Sequence, residues 1–107
     1  MDFTQLTRIS VEGTDVTLRP VFDPALHSYS VQIHRGEAIF PLGLDGAFTA
    51  ADEVLGAIDA ELAEIGVREL TGEEAVLLYA GLVHAKGGAD WVNFREAVSR
   101  VVLDDTV

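Results

Sequence analysis

The sequence predicts a two-layer α+β domain: a four-stranded antiparallel meander followed by three helices packed on one face of it. Three observations carry this. Apolar and polar residues alternate as far as Leu42, and from Ala51 the apolar residues recur at helical spacing. The pairs Gly13-Thr14, Asp23-Pro24 and Arg35-Gly36 are turn formers that cut the first part into four short runs. No repeat, low-complexity tract or long linker intervenes. Residues 1–107 are therefore read as one domain, with a β-meander in 1–44 and a helical layer in 45–107.

The strands are tested by register. A turn at Gly13-Thr14 pairs Val11 with Val16, Ile9 with Leu18 and Thr7 with Pro20. The longer Asp23–Ser28 turn sets Phe22 opposite Tyr29, Pro20 opposite Val31 and Leu18 opposite Ile33. A turn at Arg35-Gly36 pairs His34 with Glu37, Ile33 with Ala38, Val31 with Phe40 and Tyr29 with Leu42. Opposed residues share a sheet face, and all three pairings put the same apolar row on one side. Pro20 cannot donate to a ladder and is expected at a bulge or a non-bonded site. Pro41 marks the last strand as short and at an edge.

Thr49 with Asp52 and Glu53 reads as the cap of a first helix that ends at Gly66. Ala51, Val54, Leu55, Ile58, Leu62 and Ile65 form its apolar stripe. Thr71-Gly72-Glu73-Glu74 is a capping-box pattern opening a second helix that stops near Lys86, before Gly87-Gly88. Asp90 is the expected cap of a third, with Trp91, Phe94, Ala97, Val98 and Val101 on one face and a Glu96–Arg100 pair on the other. The middle helix is apolar all round from Ala75 to Val83, so it needs cover on every side. In so small a domain a second copy of the chain can supply part of that cover, with Leu77, Leu78, Tyr79 and Leu82 as candidate contacts.

Composition excludes several classes. With 49% hydrophobic residues the 107-residue chain has enough apolar surface to fold. It has no cysteine, which removes disulfides and thiolate chemistry and fits a reducing compartment. The nine apolar residues Ala75–Val83 fall far short of the roughly 18 to 20 that span a bilayer. With no signal peptide visible at the N-terminus, a cytoplasmic location is expected. Eighteen acids against seven bases leave a net charge of -11, which opposes direct contact with nucleic acid or anionic lipid.

The charge is uneven. Residues 1–44 carry five acids against three arginines, a net of -2, whereas 45–107 carry thirteen acids against four bases, a net of -9. Asp52, Glu53, Asp59, Glu61 and Glu64 occupy most of the first helix opposite its apolar stripe, a surface for a basic protein partner. An acidic outer face also serves solubility alone. On the polar sheet face Arg8 opposes Arg19, Arg19 opposes Gln32, and His34 lies near Thr17, a second candidate partner surface. No aromatic residue sits among these, so base stacking is not expected.

Signals for chemistry are thin. The histidines have no metal-ligand spacing and no thiol to join them, so no metal or cofactor is expected. Asp23, His27 and Ser28 share a turn and are the one place where an acid–base pair or a metal is conceivable. Gly43-Leu44-Asp45-Gly46 matches no phosphate-binding loop, and Ala47 and Phe48 stand where a calcium loop needs oxygens. The expected function is a non-enzymatic, acidic, homodimeric protein-interaction module: an adaptor, assembly factor or dedicated chaperone. One alternative is an inhibitor whose acidic helix imitates nucleic acid. Another is a small enzyme or metal-binding protein built on the Asp23/His27 loop.

Overall fold

A computed structural model describes residues 6–44 and 46–105 of the chain, with side chains as far as Ser99. Strands β1 (Ile9–Ser10), β2 (Val16–Asp23), β3 (Ser28–Arg35) and β4 (Ala38–Leu42) form one antiparallel sheet in sequence order. Helices α1 (Ala51–Glu64), α2 (Gly72–Lys86) and α3 (Gly88–Asp105) follow. The fold is the expected α+β meander with a helical layer. Helix α2 lies on β1 and β2, α1 lies beside it over β3, and α3 packs on α2. Leu18, Val31, Ile33, Val54, Ile58, Leu62, Leu78 and Leu82 meet between the layers and are fully buried.

Two of the three strand pairings follow the expected register: Ile9 faces Leu18, and β2 and β3 pair from Val16–Arg35 to Asp23–Ser28. The third differs. Ile33 faces Phe40 and Arg35 faces Ala38, two residues away from the expected pairing of Ile33 with Ala38. The turn is Gly36-Glu37, not Arg35-Gly36. Gly36 takes the first turn position, where its φ of +59° suits glycine. A two-residue slip preserves both faces, so the hydrophobic pattern cannot distinguish the registers. Its effect is to keep Arg35 in the strand, on the helix side.

Pro20 needs no bulge. Val11 N–H donates to the Val16 carbonyl, so Val16 and Leu18 direct their ladder bonds toward β1. Pro20 has the same orientation, and its missing N–H points to where β1 has not yet begun. Pro41 lies exposed on edge strand β4, as expected.

The helix termini show why the chain turns where it does. Helix α1 closes in a Schellman arrangement: Gly66, with φ +76°, donates to Ala63, and Val67 donates to Leu62. Helix α2 opens with the expected capping box, Glu74 N–H donating to Thr71 Oγ1 and Thr71 N–H to Glu74 Oε1. Two expected caps are displaced. The N-cap of α1 is Ala50, not Thr49, and Glu53 Oε1 accepts from the Thr49 and Ala50 amides and the Thr49 hydroxyl. Asp90 lies inside the first turn of α3, where it pairs with Lys86 across the break made by Gly87 and Gly88. The side chains of Arg100 and Val101, and all of Asp45, lie outside the described residues.

The connection from β4 to α1 folds back on β3, where Tyr29 N–H donates to the Phe48 carbonyl. Gly43 makes this possible, with φ +86° and a Cβ position only 2.4 Å from the Phe48 ring and 3.1 Å from the Tyr29 carbonyl. Gly43→Ala is expected to cost about 1 to 2 kcal/mol of stability, measured by urea unfolding.

Candidate functional site

The expected acidic surface is only partly available. Asp59 Oδ1 accepts from Leu70 N–H at 2.9 Å and pins the α1–α2 connection, and Glu53 is engaged at the start of α1. Asp52 and Glu64 are exposed and Glu61 is half-buried. Among the described residues the salt bridges are Arg35–Asp15, Arg68–Glu74 and Lys86–Asp90, and none involves an α1 acid. Helix α1 therefore presents negative charge that no salt bridge among the described residues neutralises.

The last acid of the acidic segment has a different role. Glu74 is 5% exposed. It accepts from Arg68 Nη1 at 2.8 Å, from Arg68 Nη2 at 3.0 Å, from Thr71 N–H, and from Glu12 N–H at 2.8 Å. Arg68 Nη2 also donates to the Glu12 carbonyl. Together they fasten the β1–β2 turn to α2 and the α1–α2 connection. The hydrogen bonds from Arg68 lower the Glu74 carboxyl pKa to about 2, overcoming the opposing effect of burial.

Arg35 makes a similar link. Its Nη1 donates to the Ile65 carbonyl at 2.7 Å, placing a cation at the C-terminus of α1, and its Nε reaches Asp15. Arg35 and Arg68 line an open cleft of about 620 Å³ between the β1–β2 turn and the α1–α2 connection. Both guanidiniums are already taken by the fold.

On the outer sheet face Arg19 faces Gln32 as expected, and both Arg8 and Arg19 are exposed. Arg8 precedes the two-residue β1, so no ladder holds it against Arg19. Gln32 Oε1 and His34 Nε2 are 3.2 Å apart. Of the four α2 residues considered for a second copy, Leu78 and Leu82 are fully buried within the single chain. Leu77 and Tyr79 are half-buried.

In the Asp23/His27 turn, Asp23 Oδ1 accepts from the Ala25 and Leu26 amides and so shapes the turn. His27 adopts φ +47°, and its ring makes a T-shaped contact with that of Phe22, centroids 6.3 Å apart. Among the described residues no three His, Cys, Asp or Glu side chains gather as metal ligands. No helix among them is long and apolar enough to cross a membrane.

One site has no counterpart in the sequence reading. A groove of about 520 Å³ runs between the N-terminus of α1 and the helices α2 and α3, with Tyr29 of β3 among its lining residues. Tyr79 and Phe94 rings, 5.8 Å apart, line it, with Asp52, Asp90 and Lys86 among the charged groups there. Burial pushes the Tyr29 phenol pKa up, against the nearby positive charge of Lys86. Side-chain hydrogen bonding to Asp90 raises that of Lys86.

No family model, curated protein or solved structure matches this chain. Its function is read from its own surfaces. The residues that sequence reasoning missed are Tyr29, Arg68 and Glu74. Glu74 carried a visible signal, its place in the capping box, but its partner Glu12 is 62 positions away.

Proposed function

We propose that this chain is a small non-enzymatic module that binds a basic protein through the outer face of α1, in the cytoplasm. The observation that supports this is electrostatic. Asp52, Glu61 and Glu64 form no salt bridge among the described residues, while the ion pairs of Arg35, Arg68 and Lys86 use acids outside α1. Uncompensated charge of one sign attracts and orients an oppositely charged partner, and the attraction weakens as salt rises.

Glu61→Lys with Glu64→Lys tests the reading. Both positions lie in the last turn of α1, where lysine suits the helix dipole and folding is expected to be unaffected. A partner captured by the unchanged chain is expected to be lost by the double variant. Capture that is equal for both would refute the reading. Competition by duplex DNA would further show whether the face stands in for phosphates.

Helix α3 favours a homodimer as a second reading. It packs on α2, none of its described side chains is buried, and Val76 and Val92 are each 42% exposed. Apolar surface of this kind is what a second copy covers. Sedimentation equilibrium at micromolar concentration is expected to give twice the chain mass, and a strictly monomeric result would exclude this reading.

A further inference from the structure

Tyr29 is 6% exposed, yet its hydroxyl exchanges no hydrogen bond with any described residue. Among those residues no side-chain nitrogen or oxygen sealed from solvent lacks a partner, so this oxygen opens on the groove. A phenol oxygen held there without a protein partner is a hydrogen-bonding position left to an incoming group.

The groove's other features indicate the charge of that group. Asp52 and Asp90 stand against Lys86 alone, so the site is net negative within a chain of net charge -11. The aromatic rings Tyr29, Tyr79 and Phe94 line it, and ring faces attract cations. Lys86 shows that a cation is tolerated at this place, since its Nζ holds Asp90 and lies 5.9 Å from the Phe22 ring centroid.

Resting on the reading of a basic partner, we infer that this groove receives an arginine side chain of that partner. Its guanidinium packs on the Tyr79 and Phe94 rings, faces the Asp52 and Asp90 carboxylates, and donates an N–H to Tyr29 Oη. These acceptors stand on three elements, α1, α3 and β3. A planar fork with five donors serves divergent acceptors at once and stacks on rings, whereas a lysine ammonium is a compact, strongly hydrated charge.

An NMR titration of the full chain with N-acetylarginine amide tests this, with the citrulline analogue as uncharged control. Saturable shifts are expected at Tyr29, Tyr79, Asp90 and Asn93, with a Kd on the order of 1 mM, as suits a ligand of this size. Citrulline is expected to bind about tenfold more weakly, and Tyr29→Phe to weaken arginine binding about threefold through the lost hydrogen bond. Absence of saturable shifts, equal binding of citrulline, or shifts confined to the last turn of α1 would overturn the inference. Failure of the probe with intact, charge-dependent partner capture removes the arginine groove alone. Arginine binding with capture indifferent to the double variant removes the acidic-face reading instead.

Discussion

Glu74→Ala is expected to destabilise the fold by about 3 kcal/mol, because the carboxylate is buried and has no substitute. Its loss leaves the Glu12 and Thr71 amides and one side of Arg68 without an acceptor at a junction of three segments. The same group sets a pH dependence. Its pKa is about 2 in the folded chain against an ordinary 4.5, so the folded form binds the proton less readily than the unfolded one. Its contribution is therefore complete above about pH 5 and disappears as pH falls from there toward 2. A shift of this size corresponds to about 3 kcal/mol. Urea unfolding between pH 7 and pH 2 measures it. Glu74→Gln is expected to start less stable and to lose less on acidification. An equally steep acid limb in the variant would assign the dependence to other carboxyls.

The second large effect compares one substitution at two helical glycines. Alanine normally stabilises a helix interior by about 1 kcal/mol relative to glycine. At Gly56, exposed on α1 with nothing within 4 Å of its Cβ position, Gly56→Ala is expected to gain about 0.5 to 1 kcal/mol. At Gly81 the Cβ position lies 2.7 Å from Pro20 Cγ, 2.8 Å from the Leu6 carbonyl and 3.2 Å from Ile9 Cδ1. A backbone oxygen and a proline ring yield little, so α2 must lift from the sheet. Gly81→Ala is expected to cost about 2 kcal/mol despite its better helix propensity. Chemical denaturation of both variants checks the pair, and a gain at Gly81 would show that α2 sits farther from β2 than described.

These contrasts show what was legible in the sequence. The sheet faces were, because a side-chain period of two leaves a readable trace and a wrong parity would have exposed Val31 and Ile33. The Thr71 capping box was legible because all its parts lie within four residues. The β3–β4 slip was not, since a shift of two residues leaves the pattern unchanged. At α1 the sequence offered Thr49 as a cap by residue type, but Glu53 folds back over Thr49 and the N-cap is Ala50. The burial of Glu74 and the open hydroxyl of Tyr29 depend on segments far apart in the chain. Tyr29 was rightly placed in the apolar row, yet the groove at its hydroxyl is built from α1, α2 and α3. Those contacts exist only after folding.

If the acidic face of α1 binds a basic partner, partner affinity depends on salt. The unchanged chain should bind its captured partner with an affinity that falls steeply as salt rises from 50 to 300 mM, conditions chosen as roughly spanning strong and weak screening. Glu61→Lys/Glu64→Lys should bind far more weakly, with a flatter salt response. Equal affinities and equal salt slopes for the two proteins would show that this face does not bind the partner.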